Sequence, residues 1–162
     1  MYISFEQLSD SARIWVYQSN RSLTPDEQTT MRQKAQLFLE AWASHGHPLK
    51  SSADIRYDQF LILAVEESFQ GATGCAVDAS IQFVRELEQA FQITLMDRTQ
   101  AAFRKGSAIL TVPMHQLSTQ VQTGAIAPDT LTFDNTVTRK GELATRWQVR
   151  AQEAWLSTYF RK

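Results

Sequence analysis

Apolar and polar positions follow two rhythms along this 162-residue chain, one of period two and one of period three to four. Arg13-Ile14-Trp15-Val16-Tyr17 is β-branched and aromatic, which predicts a first strand. A short opening helix precedes it, signalled by the capping-box pattern Ser4-Phe5-Glu6-Gln7. The strand gives way to polar Gln18-Ser19-Asn20-Arg21. Thr24-Pro25-Asp26-Glu27 then supplies a capping threonine, a proline at the first helical position and a glutamate three residues after the cap. Met31, Ala35, Phe38 and Trp42 follow at helical spacing and define one apolar face. Gly46 reads as the residue that ends this helix, and Pro48 prevents its continuation.

Ala53, Ile55 and Tyr57 alternate with Asp54, Arg56 and Asp58, the pattern of a half-exposed strand. Phe60 to Val65 is apolar on both faces and predicts a central strand, joined to the preceding one by a tight hairpin. Gly71-Ala72-Thr73-Gly74-Cys75-Ala76-Val77-Asp78 reads as a glycine-punctuated turn feeding a helix from about Asp78 to Phe91, with Ile81, Val84, Leu87 and Phe91 on its buried stripe. Ala101 to Val112, broken at Lys105-Gly106-Ser107, predicts a second hairpin. Pro113 opens a short helix with Met114, Leu117 and Val121 inward, stopped by Gly124. Leu131-Thr132-Phe133 suits a short strand. Trp147 and Trp155 in the tail read as anchors onto the body.

These elements predict an α+β fold over a single domain, 1–162: an antiparallel sheet with the two long helices on one face, a ferredoxin-like β-α-β-β-α start and C-terminal additions. The first and third strands are expected to run parallel. Their C-terminal ends and the N-termini of both long helices would then share one sheet edge. That edge would gather Asn20 and Arg21 with Gly74, Cys75 and Asp78 as candidate ligand-binding residues. Helix N-termini beside an arginine suit a carboxylate or phosphate.

Charge and composition narrow the partners. The chain carries 16 basic and 17 acidic residues, with no basic block to draw a nucleic acid. No 18-residue apolar run or leader pattern is present, so no membrane partner is expected and a cytoplasmic location is. The 43% hydrophobic content is ample for a packed core. Cys75 is the lone cysteine, so it has no intrachain disulfide partner. Two readings compete for it. At a helix N-terminus the positive end of the dipole favours thiolate; equally, a free cysteine often serves as a small buried hydrophobe. Arg21 could alternatively pair with Glu66 or Glu67. His45 and His47 are expected at the far end of the first helix, roughly 30 Å from Cys75. They therefore read as helix-end residues, with no metal site and no cofactor implied. P-loop, G-x-S-x-G and H-E-x-x-H patterns are missing.

Four segments carry a resemblance: Arg13-Ile14-Trp15-Val16-Tyr17-Gln18-Ser19-Asn20-Arg21, Trp42-Ala43-Ser44-His45-Gly46, Gly74-Cys75-Ala76-Val77-Asp78 with Ser80, and Asp129-Thr130-Leu131-Thr132-Phe133. In these the chain resembles a family of short bacterial proteins often labelled "ABC transporter ATPase". That family's Gly-Cys-Ser-Ile-Asp pattern has Ala76 and Val77 in place of serine and isoleucine here. The resemblance implies no activity and hands over no catalytic residues, and the label lacks its phosphate-cradling loop. The residues lead to a non-enzymatic binding module for a small anionic ligand or a protein partner. The alternatives are a thiol-dependent enzyme using Cys75 and a structural protein that assembles, as a homo-oligomer or with a partner, through a strand edge or the Trp-bearing tail.

Overall fold

A computed structural model describes residues 1–67 and 71–161. In chain order its strands and α-helices are β1 (Arg13–Gln18), α1 (Pro25–Ala41), β2 (Ala43–Ser44), β3 (His47–Pro48), β4 (Ser51–Arg56), β5 (Phe60–Val65), α2 (Gly74–Phe91), β6 (Gln100–Lys105), β7 (Ala108–Pro113), α3 (Leu117–Gln122), β8 (Leu131–Phe133), α4 (Glu142–Thr145) and β9 (Gln148–Arg150). The fold is α+β, and its three sheets are antiparallel in every named pairing.

The first sheet has the order β1-β5-β4. Central β5 is buried at every position, as its two-faced apolar run requires. One face presents Trp15, Tyr17, Ile55, Leu61 and Leu63 to Met31 and Ala35 of α1 and to Phe83, Val84 and Leu87 of α2. The other face presents Ile14, Phe60, Ile62 and Ala64 to Phe5, Leu8, Phe133, Leu143 and Trp147. The alternation of a strand thus feeds two different cores.

Antiparallel pairing corrects the expected parallel course of the first and third strands. Gln18 lies opposite Phe60, and Arg13 opposite Val65. The end of β1 therefore meets the start of β5, not its end. Two boundaries also shift. The first long helix stops at Ala41, because Trp42 turns extended. His45 and Gly46 then form a tight turn with φ of 51° and 78°, joining β2 to β3. The second long helix begins at Gly74 rather than near Asp78, because Thr73 serves as its cap.

A second sheet, ordered β7-β6-β8-β9, is built from the predicted hairpin, the predicted short strand and part of the tail. It joins the first through an aromatic cluster. Phe60 lies 4.5 Å from Phe133 and 5.1 Å from Trp147, centroid to centroid. Tyr57 adds a further ring at 5.5 Å from Phe133 and 5.8 Å from Trp147. A polar chain runs alongside: Trp147 Nε1 donates to Asn135 Oδ1 at 2.9 Å, Asn135 Nδ2 to Gln18 Oε1 at 3.0 Å, and Gln18 Nε2 to the Gln100 carbonyl at 3.3 Å. Of the two tail tryptophans, Trp147 is buried, whereas Trp155 is 45% exposed and does not anchor fully.

Candidate functional site

The five candidate ligand-binding residues divide between the two ends of α2. Asn20 and Arg21 belong to its C-terminal end. Asn20 Oδ1 accepts from Thr94 N at 2.9 Å, just beyond the helix. Arg21 donates from Nη2 to the Phe91 carbonyl, the last residue of α2, at 2.8 Å. A guanidinium there satisfies an open carbonyl and complements the negative end of the helix dipole. The same guanidinium grips Glu27 with two bonds, of 2.8 and 2.7 Å. Arg21 thus pairs with Glu27, not with Glu66 or Glu67, and its fork is engaged by groups of this chain although the side chain is 40% exposed.

Glu27 closes the capping box of α1 as well, accepting from Thr24 N at 3.0 Å. The hydrogen bond from Arg21, helped by the one from Thr24, lowers its carboxyl from 4.5 to about 2. The hydrogen bond to Glu27 raises the Arg21 guanidinium above its ordinary value.

Gly74, Cys75 and Asp78 belong to the N-terminal end. Eighteen residues of helix, at 1.5 Å each, separate the two groups by about 27 Å. The proposed convergence on one edge is therefore absent. Thr73 Oγ1 accepts from Ala76 N, Trp42 Nε1 donates to the Ala76 carbonyl at 2.9 Å, and Ser44 Oγ donates to Thr73 Oγ1 at 3.1 Å. Cys75 is exposed, which overturns its reading as a buried hydrophobe. Asp78 is exposed on the second turn and caps nothing, since Thr73 holds that position. Ser44 bonds the cap itself, so the hairpin bearing His45 and His47 packs at the Cys75 end and not at the far edge. Among the described residues no group of three or more His, Cys, Asp or Glu is arranged to hold a metal ion.

A concave site occurs elsewhere, between α1 and edge strand β4. It encloses about 180 Å³. Met31 and Ala35 reach it from α1, Leu61 from β5 and Ile55 from β4, and these four are buried. Arg32 and Asp54 stand on its rim. Arg32 is half exposed and loosely held, with Nη1 at 3.6 Å from Asp54 Oδ1 and Nη2 at 3.4 Å from the Ile55 carbonyl. A well-formed bond of this type is roughly 2.7–3.2 Å. Asp54 is better occupied: Oδ2 accepts from Arg56 Nε at 2.9 Å and Oδ1 from Ile55 N at 2.9 Å. Arg56 holds Asp54 from outside the pocket, with its guanidinium 5.4 Å from the Phe5 ring centroid, so of the two arginines only Arg32 lines the cavity.

The available sequence signal was an arginine directly after the first apolar anchor, Met31, opposite a strand whose polar positions read Asp54 and Arg56. Only the pairing of β4 at the sheet edge brings them together. No protein-family model, no curated protein and no solved structure matches the chain.

The Arg21–Glu27 clasp sets a pH dependence. In the unfolded chain Glu27 protonates near 4.5, in the folded one only near 2. Its stabilisation is therefore complete above about 4.5 and is lost as pH falls through about 2. The melting-temperature gap between wild type and Glu27→Gln is expected to be steady from about pH 7 to about pH 5 and to narrow progressively below. A gap that keeps its size at about pH 3 contradicts the assignment.

Proposed function

We propose that this chain is a non-enzymatic binding module for a small anionic ligand, seated in the pocket between α1 and β4 with Arg32 as its charged contact. The observation that carries this reading is a cavity of about 180 Å³ on whose rim the Arg32 guanidinium is half exposed, with Asp54 at 3.6 Å and the Ile55 carbonyl at 3.4 Å. Ligand sites combine apolar walls with a few polar groups that fix orientation. The anion reading drawn from Arg21 thereby moves to Arg32, because Arg21 is held by Glu27 and the Phe91 carbonyl.

The order β1-β5-β4 supports the ferredoxin-like part of the proposal: β5 lies between two strands that are connected through α1, as in a split βαβ unit. Membership of the short bacterial family rests on the segments quoted above and is part of the same proposal. A protein partner, or a second copy, is supported by Trp155 and Tyr159, 45% and 40% exposed on either side of buried Leu156. Thiol chemistry at Cys75 is a second reading, favoured by its exposure at the second position of α2.

Two measurements separate these readings. Carboxylates are expected to raise the melting temperature of wild type and of Arg21→Ala, and to leave Arg32→Ala unchanged; a response that needs Arg21 and not Arg32 contradicts the site. For Cys75, which is exposed and does not line the pocket, alkylation of the thiol is expected to leave the carboxylate response unchanged. Loss of that response on alkylation favours the thiol reading over a binding module seated at Arg32.

A further inference from the structure

We infer that the outer edge of β7 docks a second copy of this chain, strand against antiparallel strand, on a surface separate from the α1–β4 pocket. β7 is the end strand of the second sheet, with β6 on one side only. Two bonds fix which way its backbone groups turn. Met114 N donates to the Thr99 carbonyl at 2.8 Å, just past the end of the β6–β7 ladder, and Thr132 of β8 donates to the Ala102 carbonyl at 2.9 Å from the other side of β6. Backbone groups alternate along a strand, so Ala108, Leu110 and Val112 turn towards β6, and Ile109 and Thr111 turn outwards. Among the described residues no group bonds those outward N–H and C=O groups. Other edges are occupied or blunted. Ile14 N of β1 donates to the Thr138 carbonyl at 2.9 Å, and Ser51 of β4 accepts from Ile3 N at 2.9 Å. β9 is three residues long and ends on Arg150. By contrast, β7 runs for six residues in unbroken register and carries no charge. Such an edge is a template for another strand.

The occupant is a copy of β7 itself, because the edge is complementary to itself. Under a twofold axis at Leu110, Ile109 faces Thr111 of the second copy, and Thr111 faces its Ile109. Every outward N–H and C=O group of these residues is then bonded on both chains. A shift of two residues in either direction fails. One shift pairs Ile109 with Pro113, which has no N–H; the other pairs Thr111 with Ser107, which lies in the hairpin turn. Neither strand brings a charge to the contact, so no like charges meet. Leu110 meets Leu110 of the copy at a position without a backbone bond, where facing side chains lie closest. Ile109 and Leu110 pack inward on two different cores yet are only half-buried, which leaves apolar surface for the copy to cover. The Thr111 hydroxyl is already held, accepting from Gln59 Nε2 at 2.9 Å, so Leu110 is the position to vary.

The test is the mass of the full chain in solution, read by light scattering over a concentration series. Wild type is expected to rise to twice the mass of a single chain. Leu110→Lys and Leu110→Glu, each alone, set like charges face to face across the axis and are expected to weaken the dimer at least about tenfold. An equimolar mixture of the two variants places opposite charges there and is expected to restore the doubled mass. Should either variant fail to fold, the register is read by cross-linking in a Cys75→Ser background. Leu110→Cys is expected to oxidise to a covalent dimer in higher yield than Thr111→Cys, because only the former faces itself across the axis. A single-chain mass at every concentration overturns the proposal and leaves the edge to a strand of another protein. A doubled mass unchanged in Leu110→Lys, or a yield no higher at Leu110→Cys, also overturns it and places the contact elsewhere, with exposed Trp155 and Tyr159 the next surface to vary.

Discussion

The antiparallel pairing of β1 with β5 is the constraint on which the rest of the arrangement depends. Six residue pairs, from Arg13↔Val65 to Gln18↔Phe60, fix which loops meet. Because side chains alternate across a strand, the same register sends Trp15 and Tyr17 to the helices and Ile14 to the second core. Because the strands oppose, the segment after β1 meets the helix that follows β5 at that helix's far end. Arg21 then completes the C-terminus of α2, and Cys75 is left at the other extremity among Thr73, Ser44 and Trp42. A parallel pairing would have gathered the same residues into one anion site. Strand direction thus decides between a binding arginine and a structural one.

The second sheet depends on the first through the contact at Phe60. That ring sits in β5 yet lies against Phe133 of β8 and against Trp147, immediately before β9. Beside it the hydrogen-bonded series Trp147–Asn135–Gln18–Gln100 satisfies polar groups that the junction would otherwise leave without partners. The turn at Tyr57 and Asp58 closes the arrangement. Both residues take positive φ, 54° and 56°, although neither is glycine. The turn is held by Leu23 N donating to the Asp58 carbonyl at 2.7 Å and by the Tyr57 ring within the cluster. Such a conformation persists where surrounding contacts determine it.

Much of this was legible in the sequence where the signal is local. The capping box at Thr24 and Glu27 marks the start of α1 directly, since both partners lie within one turn. The two-faced apolar run of β5 reveals its central place, and the Lys105-Gly106-Ser107 turn predicts the β6–β7 hairpin. Strand direction has no such signature: the residues of β1 suit a parallel or an antiparallel neighbour equally. The hairpin at His45-Gly46 resembles a helix end in sequence, because a glycine with positive φ serves both purposes. The start of α2 lies four residues before the helical pattern at Asp78, because Thr73 and its bond to Ala76 N override the weak helix propensity of Gly74. The pocket beside Arg32 was invisible because it joins residues on α1 to residues on an edge strand, with nothing in either segment to pair them.

Topology alone therefore separates Arg21 from the Cys75 end of α2, before any detail of the α1–β4 pocket is considered. The most direct measurement is the distance between the two ends of α2 in solution. Spin labels on native Cys75 and on Ser22→Cys, an exposed position beside Arg21, report it by pulsed electron resonance. Antiparallel β1–β5 pairing predicts a separation on the order of 30 Å, set by the length of the helix between them. A separation under about 15 Å would mean that the two segments share one edge, and would contradict both the register and the removal of Arg21 from the binding site.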